Sequence, residues 1–233
     1  MASLSTSASN NACGENGPML LPLAREAADM FGVPLMVHVG AAPPTIDEVM
    51  PFLNKGDILT HIYNSSVGGS VLDGRDQLRP SVRAAMERGV LMDVGHGGGS
   101  FSFRVAQLAM QQGLLPHAIS TDLHAHNIDG PVFDLPSVMA KFLAMGMSLA
   151  QVLHLTTVSP ADAVRRPELG RLQVGGLADV AVFRLHDEPV RLQDSEGCWL
   201  DGQQSLENRL TVCNGAVLRT FDDGRQEGRH YGR

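Results

Sequence analysis

Four short apolar runs, at residues 33–40, 57–62, 89–95 and 116–121, recur at intervals along the chain, and helical patterns fill the gaps between them. Runs of that length bounded by turn residues read as strands buried on both faces. Before the first of them Met19, Leu20, Leu23, Ala24, Ala27, Ala28, Met30 and Phe31 recur at helical spacing, and Gly32 follows as a stop. Further helical segments cover residues 46–53, 80–88, 103–112, 135–145, 149–155 and 160–165. Strands that alternate with helices in this way are parallel, because a parallel pair needs a long crossover connection. The fold class is therefore α/β.

The runs end on chemistry. His38 sits near the end of the first, His61 closes the second, and His96 follows the third among glycines. Asp122-Leu123-His124-Ala125-His126 follows the fourth. The loops after parallel strands open on one face, so these side chains face one mouth. A lone histidine in an apolar strand either bonds to protein acceptors or binds a metal. Two such histidines with an aspartate supply three ligands that suit zinc or a similar divalent ion, and the carboxylate can also move a proton of activated water. The candidate metal ligands are thus His38, His61 and Asp122, with Asp122 also the candidate acid/base. His96, His124 and His126 are candidate substrate contacts; the competing reading makes them solvated loop residues and Asp122 a helix cap.

A net charge of -7 and a pI near 5.7 argue against nucleic acid or an anionic membrane as the principal partner. Three scattered cysteines, Cys13, Cys198 and Cys213, suit a reducing compartment, the cytoplasm by default. Residues 1–16 are rich in Ser, Ala and Asn and read as a disordered lead-in, and residues 17–167 carry the alternating α/β pattern. From residue 168 the pattern changes. Residues 178–185 and 209–218 alternate like strands, with Asn214-Gly215 as a turn, so residues 168–233 form a small β-sandwich portion and a charged tail.

Several motifs carry a family resemblance: Pro34-Leu-Met-Val-His38, Thr60-His61, Asp93-Val-Gly-His-Gly-Gly-Gly-Ser-Phe101, Ile119-Ser-Thr-Asp122-Leu-His, Thr157-Val-Ser-Pro-Ala161 and Gly170-Arg-Leu-Gln-Val-Gly175-Gly-Leu-Ala-Asp179. In this order they resemble the second half of the amidohydrolase superfamily barrel, nearest the amidohydrolase/deacetylase subgroup related to dihydroorotases. The resemblance implies a metal-dependent (β/α)8 barrel beside a small β-sandwich, with two divalent ions, usually zinc, bridged by a carboxylated lysine. It implies that His38 and His61 ligate the more exposed ion, and that Asp122 binds the buried ion and shuttles the proton during hydrolysis of an amide or ester. The chain departs from that pattern: no histidine precedes His38, and the lysine position aligns near Ser5. The expectation is therefore an incomplete barrel that holds at most one divalent ion and self-associates through its uncovered faces. A non-catalytic remnant that keeps the fold is the alternative.

Overall fold

The computed structural model describes residues 3–218. Its organising element is a four-stranded parallel sheet in the order β1-β2-β3-β4, formed by Leu4–Ala8, Leu35–Val39, Ile58–Thr60 and Leu91–Asp93. The register places Ser7 beside His38, His38 beside Thr60, and Thr60 beside Asp93, so one polar row crosses all four strands at their carboxyl ends. Leu35, Val37, Val39, Leu59 and Met92 point the other way and are fully buried. Alternation along each strand thus gives the core one face and the site the other.

The first strand corrects an expectation. Within the expected lead-in, residues 4–13 are ordered, since β1 pairs with β2 along its whole length and a short helix α1 (Asn10–Cys13) follows, its Asn10 N–H bonded to Ala41 O at 2.8 Å. Only Ala8 of β1 is buried, which is why no apolar run marks this strand in the sequence. The fourth run corrects another. Residues 116–121 make a single parallel bridge, Asp93 to Ala118, and otherwise follow β4 through separate bonds such as Val94 N to Ala118 O at 3.0 Å and His96 N to Ser120 O at 3.1 Å. Gly95 and Gly97 adopt φ of 46° and 57°, so β4 turns away after Asp93 and leaves its neighbour no regular partner.

The helices follow their sequence signals closely. α2 (Gly17–Phe31) ends on left-handed Gly32, and α4 (Pro80–Arg88) starts on Pro80 and ends on left-handed Gly89. α3 (Ile46–Val49) carries a capping box between Thr45 and Glu48, and continues as a 3-10 turn over Met50–Phe52. α5 (Phe103–Gln111), α6 (Leu135–Ala144), α7 (Leu149–Thr156) and α8 (Val158–Ala163) complete the set. On α2, Met19, Leu23, Met30 and Phe31 remain exposed. Among the described residues no helix is long and apolar enough to cross a membrane.

At the amino end of the sheet, Asp57 is buried and accepts from Leu35 N at 2.7 Å, Asn54 N at 2.6 Å and the Arg25 guanidinium. Beyond α8 the structure is antiparallel. β5 (Val180–His186), β8 (Ser205–Cys213) and β9 (Ala216–Leu218) form one sheet in the order β5-β8-β9, and β6 (Val190–Gln193) pairs with β7 (Trp199–Gly202). The β6–β7 turn reaches back to the first half of the chain: Asp194 accepts from Phe103 N at 2.9 Å, while Ser195 bonds to Phe101 O and Gly97 O, each at 3.0 Å. The expected charged tail at 222–233 lies outside the described residues.

Candidate active site

The polar row of the sheet gathers His38, Thr60, His61, Asp93 and Ser120. His61 follows β3 in left-handed backbone, φ 67°, a conformation that non-glycine residues adopt chiefly where surrounding structure enforces it. Its ring is buried, and Nδ1 lies 2.5 Å from Gly95 O. A carbonyl oxygen only accepts, so Nδ1 carries a proton, and Nε2 is the nitrogen this bond does not use. The His38 ring meets that of His61 edge-on, with centroids 4.2 Å apart. Burial, then the neighbouring His61, push the His38 pKa down to about 4, while Asp122 pulls it back up. At neutral pH His38 is therefore an uncharged imidazole with a free lone pair.

Asp93 supports this pair from below. Thr60 Oγ1 donates to it at 2.6 Å, Ser120 Oγ lies 2.8 and 2.9 Å from its two oxygens, and Gly95 N donates to Ser120 Oγ at 2.9 Å. Burial raises the Asp93 carboxyl above its usual range, and the two hydroxyl bonds work against that rise. A Cβ on Gly95 would stand 2.2 Å from Thr60 Oγ1 and 2.8 Å from His61 Nδ1, so this glycine is required by contact as well as by its positive φ.

Asp122 is exposed and left-handed, φ 48°, with its main-chain oxygen held by Asn127 Nδ2 at 2.9 Å. Its Oδ2 lies over Gly97, where an added Cβ would approach to 2.9 Å. The structure thus brings His38 and His61 together with Asp122 close enough to act on His38 electrostatically. His124 and His126 lie on the exposed turn after Asp122 and face each other, ring centroids 5.8 Å apart. His96 is elsewhere. Its ring is fully buried and stacked on Phe101 at 4.4 Å, between two left-handed glycines, so it lies apart from the exposed Asp122, His124 and His126.

Lys141, from α6, meets that ring. Its Nζ lies 2.7 Å from His96 Nε2 and 2.8 Å from Pro131 O. Lys141, Asp93 and Ser120 were not singled out as functional from the sequence, although a lone lysine inside the apolar run of α6 is a signal that points to the first of them.

Donor chemistry decides how far this site fits a metal. His38 offers a neutral imidazole, and His61 a second imidazole with one nitrogen tied to a backbone carbonyl, as ligating histidines commonly are. Among the described residues no group of three His, Cys, Asp or Glu side chains converges to hold an ion. The expected set of three is therefore present as a pair, with Asp122 beside it.

A family model described as the amidohydrolase family matches residues 4–225. The chain belongs to the amidohydrolase family. Members of that superfamily use divalent metal ions. The chain is 41% identical over 215 residues to a deacetylase of Agrobacterium fabrum, a match that takes in 92% of this chain and 53% of the relative. A deacetylase of Brucella anthropi is 39% identical, over 91% of this chain and 51% of its own length. The chain spans about half the length of the curated relatives it matches. Among solved structures, an adenine deaminase superposes with a TM-score of 0.89 at 32% identity, over 93% of this chain and 59% of that one. A dihydroorotase superposes with a TM-score of 0.85 at 38% identity, over 92% and 58%.

Proposed function

We propose that this amidohydrolase hydrolyses amide or ester bonds of small acyl compounds, in the manner of a deacetylase. The observation that carries the reading is the His38–His61 pair, two imidazoles side by side at the carboxyl end of a parallel sheet with Asp122 exposed next to them. The names of the deacetylase relatives support hydrolysis over a non-catalytic role. The four-stranded sheet is then part of a (β/α)8 barrel.

His38 and His61 are the residues that would hold one divalent ion, zinc by ligand type. When bound, such an ion acidifies water and polarises the acyl carbonyl. Asp122 takes one proton from the attacking water as the C–O bond forms, and returns it to the leaving nitrogen or oxygen as the acyl bond breaks. The products are a carboxylic acid and an amine or alcohol. His124 and His126, on the same exposed turn, line the approach to the acyl group.

The test is Asp122→Asn in zinc-loaded protein, assayed on N-acetyl amino acids and acetyl esters. An amide neither accepts nor returns the proton, so hydrolysis falls by at least about 100-fold. Hydrolysis at the rate of the unsubstituted protein would remove Asp122 from the mechanism.

A further inference from the structure

Lys141 is one of the largest fully buried side chains in the molecule, and a buried lysine is unfavourable unless its nitrogen is well bonded. Its two acceptors, His96 Nε2 and Pro131 O, belong to separate pieces of chain. His96 lies in the turn after β4, and Pro131 lies in the loop that runs from Asp122 to α6. His96 Nδ1 lies 2.9 Å from Gly97 O, which fixes its proton on Nδ1 and leaves Nε2 to accept from the amine. Two acceptors use two protons, the number a neutral amine carries. Burial, opposed by the fields of Asp194 and Asp134, pushes the Lys141 pKa down to about 7, and the amine donates both bonds whether or not it holds a third proton.

Both connections lead to Asp122. On one side His96 N and Gly97 N donate to Ser120 O and Thr121 O, at 3.1 and 3.0 Å, and Gly97 lies directly under the Asp122 carboxylate. On the other side Asn127 holds the Asp122 main chain, while Gly130 N and Phe133 N, which flank Pro131, donate to Asn127 O at 3.2 and 3.3 Å. The backbone on both sides of Asp122 is therefore referred to one amine. We propose that Lys141 and His96 are positioning residues for Asp122, clamping the glycine turn and the 122–134 loop together so that the carboxylate stands beside the His38–His61 pair. This rests on the assignment of Asp122 as acid/base.

Lys141→Met keeps the shape of the side chain and removes the amine. The double variant His96→Phe with Lys141→Met also removes the orphaned imidazole, so it recovers most of the stability lost by the single variant. Amide hydrogen exchange in both variants should accelerate by about 10-fold or more at Gly97, Gly130 and Phe133, while the amides of α4 stay as they were. Displacing a reacting group by an ångström costs up to about 100-fold, so kcat should fall on that scale with KM little changed, and should stay low in the double variant. Recovery of kcat together with thermal stability in the double variant would overturn the proposal, as would unchanged exchange at all three amides. Absence of hydrolysis in the unsubstituted protein would defeat the hydrolase reading alone, because the exchange measurement still decides whether the clamp orders the loop.

Discussion

Asp57 and Asp93 are buried carboxylates at opposite ends of one parallel sheet, and their main partners differ in kind. Asp57 meets a guanidinium and two backbone N–H groups, all fixed in place and one of them charged. Asp93 meets two hydroxyls first and the Val94 backbone N–H only weakly, with no cation among the described residues bonded to it, and its carboxyl is pushed upward by burial. A carboxylate locked by fixed donors closes the amino end of the sheet and holds β2 to the chain before β3. Rotatable hydroxyls around Asp93 leave the carboxyl end adjustable, next to the imidazoles. The division matches parallel α/β architecture, in which the amino-terminal face serves stability and the carboxyl-terminal face serves chemistry.

Substitutions at the two ends separate these roles. Asp57→Ala leaves Arg25 without its buried partner and two N–H groups without an acceptor, so unfolding in urea should show a loss of about 3–5 kcal/mol. Hydrolysis per folded molecule should be unchanged, and a specific loss of activity would break the comparison. Asp93→Asn is smaller, because its amide oxygen still accepts one hydroxyl; the same measurement should show about 1–2 kcal/mol. This variant should lower hydrolysis by disturbing Thr60 and Ser120 beside His61. The smallest effect lies in the pH dependence of that difference. Because the folded-state pKa of Asp93 is raised, the stability linked to its protonated form is complete below the unfolded carboxylate pKa of about 4 and is lost as pH rises through the folded value. Asn stands in for the protonated acid at every pH, so the deficit of Asp93→Asn should shrink as pH rises from about 4, in paired urea titrations. A deficit that grows with pH would mean that Asp93 is stabilised as the anion.

Much of this was legible in the sequence where one residue type has one physical reason to be present. Pro80 and Gly89 delimit α4 because proline suits a first turn and glycine a left-handed stop. His38 and His61 were legible as a pair because each interrupts an apolar strand. β1 was not, since its site-facing Ser5 and Ser7 need no apolar run and look like a polar tail. β6 and β7 are only four residues each and leave little pattern to read. The burial of His96 was not legible, because sequence shows that a histidine follows a strand but not how the left-handed Gly95 and Gly97 place it. Lys141 was overlooked because its significance lies in what it reaches, and neither His96 nor Pro131 is near it in the sequence.

The β6–β7 turn adds a matter of timing. Ser195 closes on Gly97 across 98 residues, and Asp194 on Phe103 across 91. Synthesis at about 5–20 residues per second puts roughly 5–20 s between the emergence of the glycine turn and that of its latch. During that interval the sheet can pair and bury its helix-facing side, and Lys141 can meet His96, while Gly97 and Phe103 still lack their bonds to Ser195 and Asp194. A nascent chain therefore acquires its scaffold well before its chemistry, and a ribosome paused before residue 194 would present an assembled sheet with an unlatched site.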